Sequence, residues 1–168
     1  DTDRSRGLGD VYKRQLQTAR RLSRLLDAFY NTPAWHTLTR ELILNDKDFL
    51  HNFLKYLIQV NLIDQPLSLE KRGLILYEYC KLAYPEYKIQ ASIAWIEAGM
   101  SLKKTPAEKV KTKHQIPPEK WEVIYGEYKS NLRLCFLPLD ENTKCGYWFG
   151  FETEIQRTFP VFKAKTDI

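Results

Sequence analysis

The sequence predicts a mainly α-helical protein, a bundle of about five to six helices followed by a small C-terminal antiparallel β-sheet. Apolar residues recur every three or four positions over most of 16–102, which is the spacing of one helix face. Proline and capping residues divide these periodic segments into separate helices. After residue 131 the apolar residues alternate with their neighbours instead, as they do in strands. We therefore expect a helical domain with an α+β appendage.

Residues 1–15 are expected to be foreign to the protein. Residues 5–15, SRGLGDVYKRQ, can be back-translated into a common transposase sequencing adapter, and 10–15 correspond to the transposon end. We exclude this segment from the fold prediction. The natural sequence is expected to start near Leu16, inside an open reading frame, so we expect an N-terminally truncated fragment from a metagenomic read assembly. A natural N-terminal arm is the alternative.

The remaining chain is expected to fall into three parts: a helical bundle over 16–102, a Lys-rich linker over 103–120, and a short helix with three strands over 121–168. The formal net charge is +5. The linker holds six Lys and two Glu, so its own formal net charge is +4. Such a segment could follow phosphates, but it has no Arg and no aromatic side chain to stack on bases. A solvated linker is therefore favoured over nucleic-acid binding.

Composition indicates a cytoplasmic protein. No apolar run is long enough to span a membrane, and no signal peptide is visible. The three cysteines, Cys80, Cys135 and Cys145, form no C-x-x-C motif, which is typical of thiols in a reducing compartment. A disulfide between Cys135 and Cys145, across a hairpin, is the alternative.

The first two helices are predicted to meet at a capped break. The first covers 16–30, Asn31 ends it, and Thr32 is the expected N-cap of a second helix over 33–44. Pro33 occupies its first position, where a missing N–H costs little. The expected inward residues of the two helices are Leu22, Leu25, Leu26 and Phe29, then Trp35, Leu38, Leu42 and Ile43.

A third helix is predicted over 47–62, with Asn45 or Asp46 as its cap. Its apolar stripe is wide enough to require neighbours on two sides, which favours a bundle. The stripe consists of Phe49, Leu50, Phe53, Leu54, Leu57 and Ile58.

Ser68 is the expected cap of a fourth helix over 69–83, which Tyr84 and Pro85 end, since the residue before Pro is pushed out of the helical region. Its expected buried residues are Leu69, Leu76, Tyr79, Cys80 and Ala83. A fifth helix is predicted over 86–101. Its inward residues are expected to be Ile89, Ile93, Ile96 and Met100.

Beyond the linker, a short helix is predicted from Pro117 through Trp121, Ile124 and Tyr125. Strands are predicted over 131–137, 144–151 and 155–162, and Pro160 would restrict the third strand to an edge. One apolar face is expected for the sheet, with Cys145, Tyr147, Phe149 and Phe151 on it. Packing of this face on helices is favoured over a role as a binding surface.

No catalytic, cofactor-binding or metal-binding residue is predicted. The only histidines are His36, His51 and His114, and their spacing matches no metal-binding motif. The carboxylates of Asp46 and Asp48 fit a helix start rather than an acid/base pair. His36 lies near polar residues at the start of the second helix, which could be a functional corner, although a capped helix turn is favoured.

Two segments resemble a known family. Residues 25–57, LLDAFYNTPAWHTLTRELILNDKDFLHNFLKYL, and 73–80, GLILYEYC, resemble the C-terminal domain of unknown function behind the catalytic core of cobalamin-binding radical SAM proteins. The shared pattern is an aromatic-aromatic-Asn-Ser/Thr step, here FYNT, followed by an aromatic residue, a Leu-rich helix, a short Asp-containing break and an F-x-x-x-F-L helix. The late aromatic-Asp pair of the family is replaced here by Trp95, Ile96 and Glu97.

The resemblance implies an accessory domain that braces or covers the catalytic barrel and is not itself catalytic. The parent protein would use cobalamin, S-adenosylmethionine and a four-iron four-sulfur cluster, bound by domains of the same chain that are missing here. The cysteine spacings of 55 and 10 residues do not match the cluster motif. The expected interdomain contact is the corner formed by Tyr30, Asn31, Trp35 and His36. The alternative is a free-standing helical interaction module, or a nucleic-acid-binding module that uses 103–120.

Overall fold

The structure, a computed structural model, describes residues 2–106, 132–139, 145–152, 159–160 and 162–166. Within these residues the predicted fold class is confirmed: the chain is mainly helical and carries a small three-stranded antiparallel sheet. The predicted short helix from Pro117 to Tyr125, His114 and most of the Lys-rich linker lie outside the described residues. Within the described part of the chain, no helix is both long and apolar enough to cross a membrane.

The chain divides into two compact units, 1–87 and 88–168. The first contains four helices, a π-helical turn and a 3₁₀ turn: α1 (Thr2–Leu25), the π turn (Leu26–Tyr30), α2 (Pro33–Asn45), α3 (Phe49–Gln59), α4 (Leu69–Ala83) and the 3₁₀ turn (Pro85–Tyr87). The described elements of the second are α5 (Lys88–Glu97), a 3₁₀ turn (Leu102–Lys104), β1 (Leu132–Pro138), β2 (Gly146–Glu152) and β3 (Phe162–Thr166). The sequence had grouped the fifth helix with the first four, whereas the structure places α5 in the second unit.

Helix α1 is longer than the predicted first helix. It begins at Thr2, and every residue from 7 to 20 is exposed, so this part of the helix buries no side chain. Burial begins near its C-terminal end, where Leu25 and then Phe29 enter the core. The adapter origin of 1–15 stays a prediction.

Aromatic side chains hold the core of the first unit together. Phe53 of α3 lies at its centre, with its ring centroid 5.0 Å from that of Phe29, 5.4 Å from that of Phe49 and 4.9 Å from that of Tyr79. Offset and edge-to-face arrangements of this kind add to the free energy gained from burial alone. Phe53 therefore joins the end of α1 to α4 through α3.

The predicted inward faces are mostly confirmed. Trp35, Leu38 and Leu42 of α2 are buried, as are four of the six residues of the α3 stripe. Ile58 and Ala83 are exposed, because each lies at the edge of its stripe near the end of its helix. The remaining members of the first four predicted faces lie at intermediate depth: Leu22, Leu26, Ile43, Leu50 and Leu69. Thr39, which the sequence did not single out, is fully buried and donates its Oγ1 hydrogen bond to the Trp35 carbonyl at 2.7 Å.

The predicted caps have mixed outcomes. Ser68 Oγ accepts the Lys71 N–H at 3.1 Å, so this N-cap is confirmed. Thr32 occupies the N-cap position before Pro33, but its side chain makes no capping bond, and that role was wrong. The start of α3 is later than predicted, because Asp46 accepts the Asp48 N–H at 2.9 Å in a turn that precedes the helix.

Helix α5 is shorter than its predicted range of 86–101 at both ends. A 3₁₀ turn occupies Pro85–Tyr87, so the helix begins at Lys88. At the other end Gly99 has a φ of 78°, and the Met100 N–H donates to the Trp95 carbonyl at 3.3 Å. This is the hydrogen bond of a Schellman cap, which requires the left-handed conformation that glycine adopts readily. Ile93 and Ile96 are buried as predicted, while Ile89 and Met100 are half-buried.

The sheet has the order β1-β2-β3 and apolar residues on both faces. Phe136 pairs with Trp148, their rings 4.9 Å apart, and Trp148 pairs in turn with Ala164. Cys135 and Phe149, on the opposite face, are also buried. The prediction of a single apolar face was therefore wrong, because it overlooked the alternate positions of the same strands.

Two further expectations concern the third strand and the cysteines. The described third strand is Phe162–Thr166, and Pro160 precedes it, while 155–158 and 161 of the predicted range 155–162 lie outside the described residues. Cys135 pairs with Phe149 in the sheet, whereas Cys145 lies before β2. All three cysteines are among the described residues, and none of them forms a disulfide there. The hairpin register thus separates the two cysteines that could have formed a disulfide.

Candidate functional site

The predicted contact corner lies where α1 passes into α2. The last turn before the break is a π turn, and the Asn31 N–H donates to the Leu26 carbonyl, five residues back, at 2.8 Å. Turns of this type occur frequently at functional sites. Pro33 then restarts the chain as α2. The corner is therefore a helix C-terminus and a helix N-terminus separated by two residues.

Side chains satisfy the carbonyl groups at this helix end. Thr32 Oγ1 donates to the Asp27 carbonyl at 2.9 Å, and Arg72 Nη1, from α4, donates to the Ala28 carbonyl at 2.8 Å. The same Arg72 nitrogen also donates to Thr32 Oγ1 at 3.0 Å. A helix leaves its last four carbonyls without helical partners. At this junction the polar side chains supply partners for them.

His36 belongs to the same arrangement. Its Nδ1 lies 2.6 Å from the Tyr30 carbonyl, and the two rings meet edge to face with centroids 4.7 Å apart. A carbonyl only accepts hydrogen bonds, so Nδ1 carries the proton, and Nε2 is the acceptor nitrogen of the neutral ring. His36 is therefore oriented by the backbone rather than by an acidic side chain.

Trp35 and Asn31 differ in exposure. Trp35 is 1% exposed and lies in the core, which corrects its assignment to a contact surface. Its Nε1 is buried and has no hydrogen-bond partner among the described residues. Asn31 is exposed and donates from Nδ2 to Asp27 Oδ1 at 2.8 Å. Of the four predicted contact residues, Tyr30, Asn31 and His36 retain accessible surface.

A second polar contact ties the ends of α2 and α4 together. The Tyr84 hydroxyl donates to Asp46 Oδ2 at 2.7 Å. This bond, together with the Asp48 N–H, lowers the pKa of Asp46. Burial, and then the bond to Asp46, raises the pKa of Tyr84 above its ordinary value of 10.0. No pattern in the sequence indicates a contact between these residues, which are 38 positions apart.

A cleft is lined in part by residues of the π turn. One face of the end of α1 forms one wall, and the loop after α3 forms the other, around a volume of about 370 Å³. The lining residues are Arg24, Leu25, Ala28, Phe29, Leu57, Leu62, Ile63, Asp64, Gln65, Pro66 and Leu67. The first four recur at helical spacing, which explains why a single helix presents them together.

Charged residues form the rim of this cleft. Arg21 Nη2 and Nε lie 2.7 and 3.2 Å from Asp64 Oδ2, and Arg24 Nη1 lies 3.3 Å from Oδ1. The hydrogen bond from Arg21 lowers the pKa of Asp64, and the same bond raises the pKa of Arg21. Asp64 also has a φ of 64°, in the left-handed region. Aspartate tolerates this conformation, and the hydrogen bonds from the two arginines fix the loop to α1 at this residue.

Cysteine and histidine side chains, which are reactive in many proteins, also lie outside the polar corner. Cys80 is fully buried, and burial raises the pKa of its thiol to about 12. His51 is exposed. Within the described ranges there is no group of three or more His, Cys, Asp and Glu side chains that could hold a metal ion.

Comparison of the chain with models of protein families, with curated proteins and with solved structures finds no match.

Proposed function

We propose that the chain is a non-catalytic accessory domain that docks onto a larger protein through one end of its helical unit. The observation that carries this proposal is a pair of exposed leucines, Leu44 at 72% and Leu82 at 70% exposure. Each lies two residues before a member of the Asp46–Tyr84 hydrogen bond. That bond brings the ends of α2 and α4 together, so the leucines lie at the same end of the unit. We call this surface the leucine end.

The chemistry of the polar corner supports a docking role over a catalytic one. Its hydroxyl, guanidinium and imidazole groups are engaged by the π-turn carbonyls. A general base or a nucleophile needs a reacting group within reach and a second side chain to orient it. The corner instead stabilises the break between α1 and α2. Contiguous exposed apolar patches are typical of surfaces that bind proteins, and we propose that Leu44 and Leu82 belong to one such patch.

The resemblance of FYNT and the following helices to the domain behind cobalamin-binding radical SAM cores indicates which partner to test first. We propose that these missing domains of the same chain, in the cytoplasm, cover the leucine end. Cobalamin, S-adenosylmethionine and the cluster would then be bound by those domains, and this chain would bind neither cobalamin nor S-adenosylmethionine in a titration.

The test begins with the gene upstream of Leu16. The proposal predicts that the same reading frame encodes the Cys-x-x-x-Cys-x-x-Cys motif. In the protein extended by its upstream domains, Leu44→Glu should weaken the contact between this domain and the upstream domains. Limited proteolysis would detect the weaker contact as faster release of this domain. Ile58→Glu is the matched control, because Ile58 is exposed but lies on α3, away from the leucine end. A start codon just ahead of Leu16, or equal release of the two variants, would contradict the proposal.

A nucleic-acid-binding module is the second candidate. In the second unit, Lys163 Nζ and Lys165 Nζ lie 5.4 and 6.0 Å from the ring centre of Tyr147. This cluster combines positive charge with an aromatic ring, whereas the Lys-rich segment has no aromatic side chain to stack on bases. Binding to a generic oligonucleotide that weakens with salt, is reduced when Lys163 and Lys165 are changed to Gln, and is lost when the Lys residues of 103–120 are changed to Gln, would favour this candidate over docking.

A further inference from the structure

The cleft between α1 and the loop after α3 has the composition of a small-molecule site. Its floor consists of Leu25, Phe29 and Leu57, each at most 3% exposed. Leu62 and Leu67 form half-buried walls. Ligand sites in proteins are typically concave, mostly apolar, and about 300–1,000 Å³ in volume, with a few polar groups that fix orientation. A volume of about 370 Å³ places this cleft near the small end of that range.

The charge at the rim indicates the sign of the ligand. Arg21 uses two nitrogens to hold Asp64, and its side chain is 22% exposed. Arg24 makes only the 3.3 Å bond to Asp64, and its side chain is 69% exposed. The three groups together carry one positive charge. Because Arg21 already neutralises the carboxylate, Arg24 has donors left for an anion at the mouth of the cleft.

The loop is also fixed before any ligand arrives. Asp64 is held in a left-handed conformation by the arginines, and Gln65 Nε2 donates to the Asn61 carbonyl at 2.6 Å. Asn61 has a φ of 55°, and the Leu62 N–H donates to the Leu57 carbonyl at 2.9 Å, which anchors the loop to the end of α3. A wall fixed in this way loses little conformational entropy on binding.

We infer that this cleft binds a small amphipathic anion, of which a medium-chain aliphatic carboxylate is the simplest example. The alkyl chain would lie along the apolar floor, and the carboxylate would accept hydrogen bonds from Arg24. A small ligand is favoured over a protein segment, because a volume of about 370 Å³ lies near the small end of the range for small-molecule sites. The inference is independent of the partner that covers the leucine end.

The test uses octanoate and the full chain, with binding followed by calorimetry and by amide chemical shifts in NMR spectra. We expect saturable binding, with shifts concentrated in 62–67 and in the last turn of α1. Arg24→Gln should weaken binding about tenfold, as expected for the loss of a charge-assisted contact. Arg20→Gln is the matched control, because Arg20 is exposed on the same helix but does not line the cleft.

Two further arms separate the contributions of shape and charge. Ala28→Leu should fill the cleft and abolish octanoate binding, while circular dichroism shows an unchanged helix content. Octanol, which has the same chain without the charge, should bind more weakly than octanoate. Equal affinity of the Arg24→Gln variant and the wild type, or no saturation, would overturn the inference. Binding of an acidic peptide to the cleft without binding of octanoate would overturn it in favour of a docking site.

Discussion

The contact between Thr32 and Arg72 predicts a measurable coupling across the α1–α2 junction. Thr32 Oγ1 donates to the Asp27 carbonyl and accepts from Arg72 Nη1. A hydrogen bond contributes roughly 1 kcal/mol to the free energy of unfolding. The near-isosteric change Thr32→Val removes two such bonds and should cost about 1.5–3 kcal/mol. Arg72→Met removes the bond to Thr32 together with the bond to the Ala28 carbonyl.

Because the two substitutions remove one shared bond, their costs should not add. The double variant should be more stable than the sum of the single costs predicts, by about 1 kcal/mol. Urea unfolding of the full chain, followed by far-UV circular dichroism, measures all four free energies. Thr37→Val is the control, since Thr37 is exposed on α2, and its cost in unfolding free energy should add to that of Arg72→Met. If Thr32 acted only as an N-cap, the costs would add to within about 0.3 kcal/mol, which would refute this account of the junction.

Three other predictions follow from the described contacts. Gly146→Ala should destabilise the sheet by about 1–3 kcal/mol in a fluorescence melt, because the added Cβ would collide with the Leu137 carbonyl oxygen and lie 2.6 Å from Phe136 Cζ. Gly7→Ala, whose Cβ meets nothing within 4 Å on the exposed part of α1, should not destabilise the chain. The Cys80 thiol, whose pKa burial raises to about 12, should resist a thiol reagent in the native chain and react in urea; native reaction at the unfolded rate would contradict this. The pKa of the Asp46 carboxyl is lowered from 3.8 in the folded chain, so the unfolded chain binds a proton at Asp46 more readily. Tyr84→Phe removes the hydrogen bond that lowers this pKa, and it should therefore lower the melting temperature at neutral pH. The difference between the variant and the wild type should vanish in acid, below the folded pKa. A difference that stays constant across this pH range would show that the carboxylate is not its source.

The sequence predicts the helices well where local patterns determine them. Ser68, Pro33 and the apolar stripe of α3 carry their signals within a few residues, so the start of α4, the start of α2 and the buried face of α3 were identified correctly. Local chemistry of this kind is largely independent of the rest of the fold. The boundaries of α5 were less accurate, although the glycine that ends it is visible in the sequence.

The sequence does not predict the contacts between distant segments. Arg72 reaches the π turn from 44 positions away, and Arg21 reaches Asp64 from 43 positions away. The sequence separation of these residues does not distinguish them from charged residues that make no such contact. The left-handed conformation of Asp64 also has no specific sequence signal, because aspartate tolerates this conformation but adopts it at only a minority of positions. The cleft, which depends on these contacts, could therefore not be predicted.

The polar side chains between residues 29 and 36 stabilise the backbone at the junction of α1 and α2. Long-range nitrogen–proton NMR correlation, at a pH where the His36 ring is neutral, shows which ring nitrogen carries the proton. We expect the proton on Nδ1, which lies 2.6 Å from the Tyr30 carbonyl. A proton on Nε2 would leave that carbonyl without its donor and would contradict this role of His36.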